Sequence, residues 1–368
     1  MKVKFLCLII LLLDSFSYGQ NFTASENYDA RAVAMGQSFV ANPKGLVAAD
    51  NNPATLIGQN GLTAFYNRRN LNWSEYFGNN YYSSFGLSAK TSIGIFAVLY
   101  KRFDYSERKV TILNEGVLDV ASVKPYYYSF IISYTNNILD NLTVGINLKT
   151  LGYNLNIVQG TAEEGNCNTP IIADLGLLYH MNGFINQDKV KDKLNIGASL
   201  TNYGTDYRPG HSSLEIYYLG NTPLEKLPRM LKLGFAYQLE VRNDSYDNLF
   251  RFVITGEYDN LLNKFSHYTD SQKDYWGVGF EGTFLDILSL RLGGVAIPTN
   301  SIFGEKGVLT TRYGAGVNLP LKLVGVKLPV SLSFDYAVIP IHQTNIISNK
   351  KKNLDAFNIS VSYNNPLF

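Results

Sequence analysis

Cysteine is almost missing from this chain of 368 residues, which has 2, Cys7 and Cys167. Cys7 lies in the leading apolar run, so a single thiol remains beyond it and no disulfide framework can hold the fold. Histidine is nearly as scarce, with 4 residues, and His180, His211, His267 and His342 are scattered along the chain. They form no Cys/His metal spacing and no nucleophile–base pair at a recognisable spacing, so no metal site and no catalytic residue is expected. A glycine-rich phosphate loop is also missing. Gly277, Gly279 and Gly282, and the pair Gly293-Gly294, fall in strand-like context and read as bulges or close backbone approach. No cofactor is expected. A formal net charge of +2 excludes a dominant nucleic-acid role. Past the N-terminus no apolar run approaches the ~18 residues of a spanning helix.

What is present is a rhythm. About fourteen short stretches between Leu62 and Tyr363 alternate apolar and polar residues, as in Leu142-Thr143-Val144-Gly145-Ile146-Asn147-Leu148-Lys149. Alternation means strands with one face in an apolar medium and the other in a polar one. The gaps between stretches alternate long and short: 103–125, 152–171 and 203–229 are long, whereas 135–141 and Leu285-Asp286 are short. A soluble sandwich or propeller has no reason to sort its loops this way. A transmembrane barrel has one, because its periplasmic hairpins are short and its external loops long. The 26 Tyr and 21 Phe suit the interface girdles of such a wall. The expected fold is all-β, a transmembrane antiparallel barrel of about fourteen strands over 62–368.

The N-terminus reads as a secretory signal peptide over 1–19: Lys2 and Lys4, an apolar core from Phe5 to Leu13, then Ser17-Tyr18-Gly19. Residues 20–61 then precede the first strand, and small residues at Ala30, Ala32, Ala34 and Gly36 suit close packing. Asn52-Pro53 reads as a turn, with room for a short helix behind it. This segment is expected to fold into the periplasmic mouth as a plug, the alternative being a disordered tail. Its candidate residues are Met35, Gly36, Asn52, Pro53 and Ala54.

Those residues carry a resemblance. Asp29-Ala30-Arg31-Ala32 with Met35-Gly36, then Asn52-Pro53-Ala54 and Leu56, resemble the start of the FadL superfamily, and within it the PorV/PorQ group of Bacteroidota. Asp174-Leu175-Gly176-Leu177-Leu178-Tyr179 and the C-terminal hairpin, Phe334 to Pro340 and Phe357 to Tyr363, are similar to the same group. The resemblance implies fourteen strands, an outer-membrane location and an association with type IX protein secretion. There are departures. Gln37 stands where the group has glycine, and Asn364-Asn365-Pro366 separates the last strand from Phe368, so either Tyr363 or Phe368 is the terminal aromatic anchor.

Charged residues at strand positions, namely Lys149, Asp174, Lys232, Arg251, Glu257, Glu281, Arg291 and Asp335, alternate with apolar ones and are expected to face the lumen. A basic residue facing lipid at the midplane costs ~2–4 kcal/mol. Their mixed signs favour an occluded, ion-paired interior. Two functions stay open. One is a partner- or cargo-binding component of type IX secretion, whose external loops meet other proteins; the other is a FadL-like channel for hydrophobic molecules such as long-chain fatty acids. The partner reading is preferred. Its candidate recognition patch is Leu214, Ile216, Tyr217, Tyr218 and Leu219 in the longest gap, where burial of a large side chain supplies ~1.5–3 kcal/mol. The same patch also fits a lid over the barrel mouth.

Overall fold

The computed structural model describes residues 29–43, 45–46, 48–71, 79–114, 117–154, 156–159, 169–205, 227–243, 246–263, 274–297, 308–340 and 353–365. The signal segment, Cys167, the patch Leu214, Ile216, Tyr217, Tyr218 and Leu219, and His211, His267 and His342 lie outside the described residues.

The chain forms β1 (Leu62–Asn70), β2 (Tyr81–Thr91), β3 (Gly94–Asp104), β4 (Arg108–Asn114), β5 (Val117–Val123), β6 (Tyr126–Leu139), β7 (Leu142–Asn154) and β8 (Ile157–Gln159). There follow β9 (Ile171–Gln187), β10 (Val190–Gly204), β11 (Met230–Asn243), β12 (Tyr246–Leu261) and β13 (Asp274–Phe284). The last are β14 (Leu288–Ile297), β15 (Val308–Pro320), β16 (Val330–Ile339) and β17 (Leu354–Tyr363). Among the described residues 14 strands pair antiparallel with their neighbours into one closed barrel, the remaining three being β4, β5 and β8. The seam is β1 on β17, from Leu62 opposite Tyr363 to Arg69 opposite Ala356. Closure leaves no edge to hydrogen-bond, which lipid demands of any spanning sheet.

The polarity of the wall is the inverse of a soluble protein's. On β7 the buried, inward positions are Thr143, Gly145, Asn147 and Lys149, while Ile146 and Leu148 stand exposed on the outside. On β2 Tyr82, Ser84 and Ser88 are buried and Phe85 and Leu87 are exposed. Apolar residues turned outward around a closed sheet, with polar ones inside, make this a membrane-spanning barrel. No helix among the described residues is long and apolar enough to cross a membrane; the strands do the crossing. Aromatic pairs mark both rims: Phe96 and Tyr134 at the short-link end have ring centroids 4.9 Å apart. At the other end Tyr258 and Trp276 are 4.5 Å apart.

Two features differ from the sequence reading. The β6–β7 hairpin runs further than expected: its strands are joined by Asp140-Asn141, where a link of 135–141 is expected, and β9 and β10 are likewise joined by just Asp188-Lys189. Backbone pairing continues to the turn because each further pair satisfies an N–H and a C=O. The gap 103–125 is not an irregular loop either. Its β-branched and apolar residues form the hairpin β4–β5, and β8 pairs with β5 to make a three-stranded sheet outside the barrel. At the C-terminus, β17 ends at Tyr363, with Ile359 and Val361 exposed in the outward phase. Residues 366–368 lie outside the described residues.

Candidate functional site

The described residues between 29 and 60 run inside the barrel, against its wall. A short helix α1 (Ala30–Ala34) starts at Asp29, whose carboxylate accepts the amides of Arg31 and Ala32 at 2.7 and 3.1 Å. That is the capping expected of Asp at a helix start. A 3₁₀ turn over Pro53–Gly58 starts at Asn52, whose Oδ1 accepts the Ala54 amide at 3.0 Å. Proline at its first position costs nothing, since that N–H has no partner within the turn.

The five motif residues have distinct surroundings. Met35 is fully buried at the end of α1, and its carbonyl accepts the Ser38 hydroxyl at 2.6 Å. Gly36 has φ +65°, and a Cβ there would lie 2.4 Å from Gly294 O and 2.5 Å from Val278 O. Asn52 holds three stretches of chain together. Besides capping its own turn, its Nδ2 donates to Val40 O at 2.6 Å and to Leu177 O of β9 at 3.0 Å. The Pro53 carbonyl accepts Thr135 Oγ1 of β6 at 2.5 Å. Ala54 is buried completely.

Close approach is made possible by glycines in the wall. A Cβ at Gly176 of β9 would lie 2.0 Å from Asn52 Oδ1, and one at Gly197 of β10 2.1 Å from Val40 O. On the far side, a Cβ at Gly279 of β13 would be 2.5 Å from Met35 O and one at Gly293 of β14 2.3 Å from Gly36 N. These glycines face inward, so the segment's backbone lies directly on the sheet, the use of strand glycine where a second backbone comes close.

Three polar tethers fix the segment. Asp50 pairs with Lys101 at 2.5 Å and with Lys149 at 3.2 Å, and Lys149 also meets Asp174 at 2.5 Å. Glu257 accepts the amides of Phe39 and Val40 at 2.5 and 2.7 Å and Asn51 Nδ2 at 2.7 Å. Lys232 donates to Asn51 Oδ1 and pairs with Asp259 at 3.1 Å. Arg31 meets Glu281 at 2.5 Å, and Arg291 bridges Glu281 at 2.7 Å and Asp335 at 2.6 Å. The inward charges foreseen from alternation are therefore inward, and Arg251 pairs with Asp286 at 3.0 Å. Burial by itself pushes the Asp50 carboxyl up, but Lys101 and Lys149 pull it down to about 2. Asp29 goes the other way: burial first, then the charge of Asp335, raise it to about 6.

Above and below the segment the lumen differs. Towards the long loops, Tyr82, Phe103, Tyr105, Tyr127 and Tyr153 form a buried aromatic cluster with Leu71, Val123, Ile339, Leu354 and the α1 residues Val33 and Ala34. Successive rings lie 4.5 to 5.9 Å apart, tilted or edge-on. Sequence reasoning missed this cluster, although Tyr126-Tyr127-Tyr128 contains its signal, since only the middle ring shares the inward phase. Towards the short links, a cavity of ≈ 420 Å³ lies against β12–β17, lined by Arg31, Arg251, Glu281, Asp286, Arg291, Asp335 and several serines. His180 sits at the short-link end, with Nδ1 2.9 Å from Asn195 Oδ1 and Nε2 3.2 Å from Thr143 Oγ1. An amide and a hydroxyl are its neighbours there, not a serine with a carboxylate.

No family model matches this chain, and no curated protein matches it. Among solved structures, it is similar to the Pseudomonas putida toluene transporter TodX at 10% identity, covering 92% of this chain and 98% of that one, TM-score 0.46. A Pseudomonas aeruginosa FadL homologue is 12% identical over 93% of this chain and 99% of that one, TM-score 0.45. The CymD monoaromatic hydrocarbon channel is 11% identical over 93% and 99%, TM-score 0.47.

Proposed function

We propose that this protein is an outer-membrane channel for small hydrophobic molecules, such as long-chain fatty acids, with residues 29–60 as its plug. The observation that supports the reading is the polarity gradient along the lumen. The end facing the long loops is lined by the Tyr82–Tyr153 aromatic cluster, and the end facing the short links is polar and holds the open cavity. A barrel that served only as a scaffold needs no aromatic interior, and an aqueous pore is better lined with charge. Hydrophobic ligand sites are mostly apolar with a few polar groups placed to orient the ligand. The segment lies between the two ends, so any passage requires it to shift.

The preferred reading of the sequence, a partner in type IX secretion, rests on the resemblance of short motifs to the PorV/PorQ group and on an external patch of Leu214, Ile216, Tyr217, Tyr218 and Leu219 that lies outside the described residues. Cells lacking the protein should take up a labelled long-chain fatty acid more slowly while secreting an unchanged set of proteins. Normal uptake with an altered secreted proteome would replace the channel reading with the secretion reading. At the level of residues, Tyr105→Ser with Tyr127→Ser should weaken fatty-acid binding to the refolded barrel and leave its heat-modifiable migration intact.

A further inference from the structure

One short-side link departs from the rest. Ser92-Ile93, Asp140-Asn141 and Asp188-Lys189 are two-residue turns, but β15 and β16 are joined by Leu321 to Pro329. That link is built, not loose. Leu321–Val324 makes a 3₁₀ turn closed by Gly325 at φ +86°, whose amide bonds back to Leu321 and Lys322. The Val326 amide also reaches Leu321 O at 3.1 Å. Yet its apolar side chains face outward: Leu323 is 57% exposed, Val324 61%, Val326 38% and Leu328 60%. Four exposed aliphatic residues in one link are a patch that calls for a cover.

We propose that this link is an interfacial anchor, bedding Leu323, Val324, Val326 and Leu328 in the periplasmic leaflet with Lys322 and Lys327 on its phospholipid phosphates. Two observations select lipid as the cover. The patch continues the barrel's lipid-facing belt, because Val317 on β15 and Leu332 and Phe334 on β16 are exposed on the same two strands. The charge also fits: from Val308 to Phe334 the sequence has lysine and arginine but no aspartate or glutamate. An apolar patch with flanking lysines is the composition of a surface that lies in the headgroup region. The short links belong on the periplasmic side of such barrels, where the leaflet is phospholipid.

The test places an environment-sensitive fluorophore at Leu323→Cys, in a chain whose own cysteines are serine. The barrel is refolded into vesicles of phosphatidylethanolamine and phosphatidylglycerol. Asp188→Cys, on a polar link at the same end, serves as the reference. The label at 323 should emit further to the blue and lose most of its intensity with acyl-brominated lipid, while the label at 188 changes little. Lys322→Gln with Lys327→Gln should reduce, by a few-fold, the extra quenching that phosphatidylglycerol produces over neutral lipid. A label at 323 as water-exposed as that at 188 would overturn the anchor. So would one shielded only in whole-cell envelopes and not in vesicles, which would instead assign the patch to a periplasmic protein. Heat-modifiable migration of each labelled barrel confirms that every reading comes from folded protein.

Discussion

The N-terminal segment meets the two sides of the lumen in different ways. On the β1–β6 side, Leu46, Ala49 and Leu56 pack against Phe65, Ile95, Leu99 and Ile131, with the Asp50–Lys101–Lys149 tether beside them. On the β12–β17 side, Arg31 reaches Glu281 through an ion pair whose underside opens on the ≈ 420 Å³ polar cavity. Apolar packing excludes water and leaves the lysine tether in a low dielectric, so each partner depends on the other. Next to a polar cavity large enough for water, a broken ion pair can be solvated again. The first side is therefore expected to hold the segment more firmly than the second.

The sharpest way to break that comparison is to remove one charge from each tether. Asp50→Ala takes the shared carboxylate from two buried lysines, and losing one partner of a buried pair costs ~3–5 kcal/mol. Arg31→Ala should cost clearly less, since Arg291 still holds Glu281 and water enters from the cavity. Limited proteolysis of residues 29–60 in the refolded barrel, alongside urea unfolding in vesicles, checks both. Equal losses would show that the two sides are held alike.

Acid should act on the two sides in opposite directions. Asp29, beside β16, is raised to about 6, above the usual carboxylate value near 4, because burial and Asp335 disfavour its charge. A carboxyl whose folded pKa lies above its unfolded value stabilises the fold when protonated, so this contribution is present below about pH 4 and is lost as pH rises through about 6. Asp50, held down to about 2, contributes stability above about pH 4 and loses it as pH falls through 2. Lowering pH from 7 to 5 should thus tighten the segment by about 1 kcal/mol through Asp29 while leaving the Asp50 tether intact. Asp29→Asn keeps a competent helix cap and should flatten the unfolding free energy between pH 4 and 6. An unchanged pH profile in that variant would reject Asp29 as the source.

The glycine belt gives a smaller, steric comparison. Gly176→Ala sets a methyl against Asn52 Oδ1, and the cost of such overpacking is about 1–3 kcal/mol. Gly282→Ala on β13 is the control, because a Cβ there meets the Phe250 ring at an ordinary 3.5 Å. Urea midpoints should fall for the first and hold for the second.

Strand phase was legible because period two is local: Lys149, Asp174, Glu281 and Asp335 could be assigned to the lumen without knowing their partners. The small residues of the N-terminal segment were legible as signs of close packing for the same reason. What they pack against was not. Arg31 and Glu281 are 250 positions apart and Asp50 and Lys101 51 apart, so only the closed register brings them together. Lys101 carries the inward phase of β3 but is followed directly by Arg102, so the apolar–polar alternation that marks the other inward charges breaks at this point. The hairpin β4–β5 was hidden in a gap that loop-length sorting had already labelled as external.

Gln37 supplies the finest test, and it concerns the stretch of segment that crosses from one side to the other. Its φ is +62°, in the left-handed region, directly after Gly36 at +65°. A side chain there costs roughly 1–2 kcal/mol, the physical reason a left-handed position favours glycine. Gln37→Gly removes that strain but enlarges the freedom of the unfolded chain, which offsets about 0.4–1 kcal/mol. The remainder should stabilise the barrel by at most about 1.6 kcal/mol, read as a small rise in the urea midpoint with an unchanged slope. Gln37→Val should go the other way, because a β-branched residue tolerates positive φ least. A lower midpoint for the glycine variant would mean that the Gln37 side chain itself holds the crossing in place, outweighing the backbone strain.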